Sequence, residues 1–317
     1  MSRHSRPGID PALAPRLGVS RDGQPLSYNR LPAPDLAPWI GWLYVASVEM
    51  PDDYQLQCSL LNDTAMIRIQ LSGDWTAETR DGTLNYSRSA MYCGPQSKAM
   101  PIRVRGSFKS VGFALNPGAG VTVTGLPASD YLDRMVPLDE INLPGNGALE
   151  MLQPGASPEE WLQVLEGMAR GVLALRRAQE PDPVSARFER LALTDPSASV
   201  ADFAKECGIS LRQLERICQR DFGLPPKQVL RRARAIDMAS HLRGVADRAE
   251  AAELELRYYD QSHMIREFTK LFGMAPRQFV ETPQPLMTLA LESRQSRRLA
   301  VLDRLAPGAD KPWSAGS

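Results

Sequence analysis

The chain reads as an α+β protein. A β-rich barrel or sandwich occupies the N-terminal half, and an all-α domain with two helix-turn-helix units joined by a linker helix follows it. Three observations carry this reading. Apolar residues alternate with period two up to about residue 115 and recur at helical spacing beyond residue 157. Residues 214–229, LERICQRDFGLPPKQV, are echoed fifty residues later at 264–279, MIREFTKLFGMAPRQF. The copies agree at Arg216/Arg266, Phe222/Phe272, Gly223/Gly273, Pro226/Pro276 and Gln228/Gln278, so one supersecondary unit is used twice. Finally, charge is uneven. Residues 1–186 hold 16 Lys+Arg against 20 Asp+Glu, whereas residues 187–317 hold 21 against 17, so the repeat-bearing half is the cationic one.

Composition narrows the class. At 317 residues, with 43% hydrophobic and 7% aromatic content, the chain has room for about two domains with real cores. No apolar run approaches the roughly 18 residues of a membrane span. The N-terminus lacks the continuous apolar stretch of a secretory signal, and residues 1–25 are expected to form a mobile tail. Cys58, Cys93, Cys207 and Cys218 lie far apart with no C-x-x-C pair, as in a reduced, cytoplasmic protein with cysteines in apolar positions.

Residues 26–180 are expected to form the β-rich domain. Ile67, Ile69 and Leu71 share one strand face, and Arg68 and Gln70 share the other. Asp81-Gly82 between residues 74–79 and 83–88 signals a hairpin. Ile102/Val104 and Val111/Phe113/Leu115 repeat the strand pattern until Asn116-Pro-Gly ends it. Trp39, Trp42, Tyr44, Trp75, Tyr92 and Phe113 are candidates to line a pocket, although aromatics here read first as core. Arg68, Arg103 and Arg105 are open to an acidic effector, although they read first as solvated strand faces. A helix over 157–178 opens on the capping box Ser157-Pro-Glu-Glu160. Its seam of Trp161, Leu165, Met168, Val172 and Leu175 can pack on its own domain or on a second copy. Two prolines in Glu180-Pro-Asp-Pro183 place a linker at 181–186.

The repeated unit parses closely. Ser199 caps a helix that buries Val200, Phe203, Ala204 and Cys207, and Gly208 supplies the turn. Ser210, with Gln213 at the capping-box position, opens a second helix that buries Leu214, Ile217 and Cys218 and turns Arg212, Glu215, Arg216, Gln219 and Arg220 outward. Such a pair, whose second helix carries a basic face, suits the major groove. Residues 227–242 continue as a linker helix about 24 Å long at 1.5 Å per residue, sufficient to hold two units near one DNA turn, roughly 34 Å, apart.

On these residues, 187–282 resemble the DNA-binding domain of AraC/XylS-type transcription regulators, and the stretch YYDQSHMIREFTKLFGMAPRQF is close to that family's signature. WIGWLY, the strand pattern and GFALNPGAG also resemble the variable, cupin-like effector or dimerisation domain of many such regulators. The resemblance implies a bacterial transcription regulator with recognition helices 210–222 and 261–272 in successive major grooves. It implies double-stranded DNA and RNA polymerase as partners, leaves a small-molecule effector and a homodimer open, and implies no cofactor. The base-reading positions fall on Arg212, Glu215 and Arg216 and on Ser262, Ile265 and Arg266. Arginine can fork onto guanine, glutamate can accept from cytosine, and isoleucine can meet a thymine methyl. Lys205, Gln219, Arg220, Lys227, Arg231 and Lys270 are candidate phosphate contacts. Arg234 reads as structural, tied to acidic groups between the units.

The second unit departs from the pattern. Glu253 and Arg257 replace the small Ala204 and Gly208, and residues 244–281 hold 5 Lys+Arg against 7 Asp+Glu, whereas residues 199–243 hold 9 against 5. The first unit is therefore expected to carry most of the phosphate affinity. An alternative class is a protein-interaction module whose helix-turn-helix units no longer bind DNA. Catalysis is not expected: the three histidines, His4, His241 and His263, lie outside the β-rich half, so a His-ligated metal has no ligands there. Residues 283–317 form a C-terminal extension whose amphipathic stretch at 286–305, with Arg294, Arg297 and Arg298, can pack on the helical domain or lie loose.

Overall fold

A computed structural model describes residues 6–247, 261–305 and 309–315. Its N-terminal part is one nine-stranded antiparallel sheet: β1 (Ala14–Pro15), β2 (Tyr28–Arg30), β3 (Ile40–Glu49), β4 (Gln55–Leu60), β5 (Met66–Thr79), β6 (Gly82–Tyr86), β7 (Ser89–Cys93), β8 (Met100–Leu115) and β9 (Met135–Pro137). The order is β1-β3-β8-β5-β7-β9, with β2 added to β3, β4 to β8 and β6 to β5. The long central pair β5/β8 bends where the register shifts around Ser72. One half of β8 pairs with β3 and the other with β4, so the sheet folds over on itself. Gly73, at φ +93°, sits in this bend, in a left-handed conformation that a side chain would disfavour.

Both faces of the sheet are covered, which explains why β3 reads as an almost unbroken apolar run. Leu43, Val45, Ile67, Ile69 and Val111 face a core closed by α1 (Ala119–Thr124), α2 (Gly145–Met151) and α3 (Pro158–Arg176). The Ser157 capping box is complete, and Trp161 and Leu165 are buried with Met168 and Val172 against them. The apolar seam of α3 thus packs on its own domain, leaving only Leu175 well exposed. The opposite face carries Tyr44, Ala46, Trp75, Ile102 and Val104. This is also the side of Gln70 and of Arg68, which is buried and not solvated as expected and shares a cavity lining with Leu286 and Leu289 of the last helix.

The helical part comprises α4 (Pro183–Thr194), α5 (Val200–Glu206), α6 (Leu211–Phe222), α7 (Pro226–Leu242), α8 (Gln261–Phe272), α9 (Pro276–Glu281) and α10 (Pro285–Val301). Pro183 does not extend a linker. It is the first residue of α4, with Asp182 as the N-cap, so the break between the two parts is shorter than the expected 181–186. The C-terminal extension is wedged between the sheet and the helical domain. Leu286 and Leu289 enter the sheet core, while Met287, Leu291 and Leu299 join the core of α7, α8 and α9.

Residues 6–25, expected to be mobile, are docked. β1 pairs with β3, and the Gly8 N–H donates to Val280 O at 2.6 Å. The cause is Arg243, a fully buried guanidinium that needs acceptors. It donates to Phe279 O at 3.0 Å, Thr282 O at 3.1 Å, Gly8 O at 2.9 Å and Gln24 Oε1 at 2.9 Å. Burial lowers its pKa to about 10, which still leaves it charged at neutral pH.

Candidate nucleic-acid interface

The first unit is built as its sequence dictates. The Ser199 side chain accepts from the Asp202 N–H, Gly208 turns the chain at φ +66°, and Ser210 and Gln213 complete a reciprocal capping box at the start of α6. Phe188, Phe203, Leu214, Cys218 and Phe222 form its core, with Phe188 edge-on to both Phe203 and Phe222. That core fixes the roll of α6 and leaves Arg212, Glu215 and Arg216 together on the exposed face. The C-terminal end of α6 is anchored. Gly223 (φ +73°) ends it against the carbonyl of Ala128 in the sheet domain, and the buried Asp221 accepts from Ser185 Oγ.

The second unit repeats the anchor. Phe268 stacks on Phe272 with ring centroids 4.3 Å apart, and Phe279 packs edge-on to Phe268 at 5.3 Å and tilted against Phe272 at 5.1 Å. Gly273 takes φ +73°, matching Gly223. Ile265 and Arg266 are exposed, at the positions equivalent to Glu215 and Arg216. Ser262 belongs to α8, but its side chain and that of His263 lie outside the described residues, as do Glu253 and Arg257.

The candidate phosphate contacts divide into two groups. Lys205, Lys227 and Lys270 are exposed. Gln219 is half-buried, and two arginines are already engaged within the chain. Arg220 pairs with Asp221 at 2.6 Å and with Asp182 at 3.2 Å, so its guanidinium is directed to the α4–α6 junction. Arg231 meets Glu267 at 3.1 Å, and Arg234 meets the same carboxylate at 3.8 Å while donating to Pro196 O at 2.7 Å. Glu267 is thus held by two arginines of the linker helix, which ties α8 to α7.

Sequence reasoning missed the junction between the two domains, where charged side chains are buried together. Arg294 of α10 pairs with Asp63 at 2.8 Å and with Asp237 of α7, and Arg297 pairs with Glu189 of α4 at 2.6 Å. Arg297 also donates to Asn116 at 2.7 Å and lies so close over Gly41 that a β-carbon there would meet its guanidinium at 2.6 Å. Arg232 of α7 donates to Gln96 O at 2.7 Å and Asp63 O at 2.6 Å, across the same boundary. Burial lowers its pKa to about 10 and raises that of Glu189 to about 7, the latter opposed by Arg297. Arg294 and Arg297 stood out in the sequence as the polar stripe of an amphipathic segment. That their partners lie on other elements was not legible.

A cavity of about 80 Å³ lies beneath α10, between the second sheet face and the helical domain. Trp42, Tyr44 and Trp75 line it, whereas Tyr92 and Phe113 belong to the core on the other face, with Trp39 packed against it. The four cysteines are free thiols, and burial pushes Cys58 up to about 12. No group of three or more His, Cys, Asp or Glu among the described residues is placed to hold a metal. None of the described helices is long and apolar enough to cross a membrane.

Residues 203–282 match the family model of a helix-turn-helix domain, and residues 28–137 match that of a domain of unknown function. No curated protein matches the chain. Among solved structures, ToxT from Vibrio cholerae is similar at 10% identity, covering 75% of this chain and 97% of that one, with a TM-score of 0.46. The AraC-like transcriptional activator CuxR is similar at 17% identity over 65% of this chain and 84% of that one, with a TM-score of 0.26.

Proposed function

The chain belongs, through its helix-turn-helix domain, to the AraC/XylS family of transcription regulators, and from that premise we propose that it binds specific DNA sequences through α6 and α8 and that its sheet domain senses a small molecule. The observation that carries this reading is the equivalence of Arg216 and Arg266. They occupy the same position in two copies of one unit, exposed on helices whose opposite faces are locked into phenylalanine cores. A major-groove contact accounts for an exposed arginine at the same helical position in both copies, since arginine can fork onto guanine. Lys205, Lys227 and Lys270 then flank the two helices as phosphate contacts, and RNA polymerase is the partner such a regulator acts on.

Mobility shift of the full chain on random duplex, followed by selection of bound sequences, tests the reading. Binding should weaken steeply with salt, and selection should converge on a bipartite site with half-sites about one helical turn apart. A second reading, a protein-interaction module with silent helix-turn-helix units, draws on the acidic second unit, where 5 Lys+Arg face 7 Asp+Glu over residues 244–281. No binding to duplex even at low salt would favour it.

A further inference from the structure

We propose that the cavity beneath α10 is a binding site for a small organic anion with an apolar body, its charged end seated on Arg68. Three arginines line this cavity. Arg294 and Arg297 have their own carboxylates, Asp63 with Asp237 and Glu189 respectively. Arg68 has none within ion-pair distance among the described residues, although it is only 6% exposed. Its neighbours are uncharged: the Tyr44 hydroxyl, Tyr86, Cys93 and the Met66 sulfur at 4.0 Å. Its Nε makes no hydrogen bond, and neither does the indole N–H of Trp42 in the same cavity wall.

A buried guanidinium without a counter-charge is costly unless something supplies that charge. It cannot shed its proton, and among the described residues it lacks the carbonyl oxygens that satisfy the buried Arg243, so an anion is the partner that would relieve it. The rest of the lining decides the class of anion. Trp42, Trp75, Phe108, Leu286 and Leu289 make the walls mainly apolar, which suits a carbon skeleton and not a bare inorganic ion. The site is also placed to report occupancy. Leu289 and Ala290 of α10, Leu193 of α4 and Ile236 of α7 share the lining, so the ligand touches the sheet, the roof helix and the helical domain together. Seating an anion against α10 therefore bears on the Arg294 and Arg297 contacts that hold α4 and α7.

The regulatory consequence rests on the proposed function above; the binding itself does not. The full chain would be titrated by calorimetry and tryptophan fluorescence with the linear acids from butanoate to decanoate and with 3-phenylpropanoate, each against its primary amide. At least one acid should bind at one site per chain and exceed its amide by about tenfold or more. Arg68→Met should abolish that preference, Arg68→Lys should retain it, and unliganded Arg68→Met should melt at or above the wild-type temperature because an unpaired charge has gone. Leu289→Trp, which fills the cavity from its roof, should block binding without touching Arg68.

The proposal is overturned if no acid binds, if amides bind as well as acids, or if Arg68→Met binds unchanged. A lower melting temperature for unliganded Arg68→Met, with acid binding intact in Leu289→Trp, would likewise make Arg68 purely structural. Mobility shift on the same preparations separates the two readings, since lost DNA binding with acid binding intact overturns the regulator and leaves the site.

Discussion

Arg297 on the C-terminal helix and Glu189 on α4 meet at 2.6 Å where the sheet domain, the linker helix and the C-terminal helix converge. Burial outweighs the arginine and raises the Glu189 carboxyl from 4.5 to about 7. A folded-state pKa above the unfolded one gives stability that is complete below the unfolded value and is lost as pH rises through the folded value. The wild-type protein should therefore lose stability between about pH 4.5 and 7, by on the order of 3 kcal/mol at most. Glu189→Gln, which cannot titrate, should flatten that segment of the profile. Denaturation midpoints from about pH 5 to about pH 8 measure it; parallel curves for the two proteins would rule the assignment out.

The two recognition helices should contribute unequally. Arg216 stands in a unit with 9 Lys+Arg against 5 Asp+Glu, and Arg266 in one with 5 against 7. Arg216→Ala should cost about 1–3 kcal/mol of specific binding and relax selection at its half-site. Arg266→Ala should cost less at the same salt. Competition shift assays at fixed ionic strength decide the order, and a larger loss for Arg266→Ala would reverse the assignment.

How much of this was legible depended on whether the cause was local. The Ser157, Ser199 and Ser210 caps and the glycines at 208, 223 and 273 appear where the sequence places them, because caps and left-handed turns are decided within a few residues. Arg68 was misread for the opposite reason. Alternation shows that it leaves the Ile67/Ile69 face, but not that a helix more than two hundred residues later covers the other one. That Arg220 and Arg231 are paired across elements could not be read, because an outward arginine carries no mark of a carboxylate elsewhere in the chain, Asp182 at the start of α4 or Glu267 on α8.

That last difference can be measured directly. Lys227→Ala, at an exposed position, should reduce the slope of log affinity against log salt by about one. Arg231→Met should leave the slope near the wild-type value while loosening α8 from α7. Arg220→Met should lower the melting temperature, since it strips the buried Asp221 of its charged partner at 2.6 Å. Equal slope changes in all three variants would show that the intramolecular pairs open on DNA.

The C-terminal helix should unite the two domains into one cooperative unit. Met287 is fully buried in the helical core, while its neighbours Leu286 and Leu289 are buried in the sheet core. Glu292, fully buried on the same helix, accepts from Ser27 Oγ at 2.8 Å and Asn29 Nδ2 at 2.6 Å, so the helix is also fastened to the start of the sheet. Truncating Met287 to alanine should cost about 2–5 kcal/mol through lost burial and the cavity left behind. Because the helix serves both cores, the penalty should fall on the whole molecule. In a Trp313→Phe background, where the remaining tryptophans all pack in the sheet domain, far-ultraviolet circular dichroism, dominated by helix, and tryptophan fluorescence should then shift together in one earlier transition. If only the helical signal moves and the tryptophan signal keeps its midpoint, the two domains unfold independently and the helix does not join them.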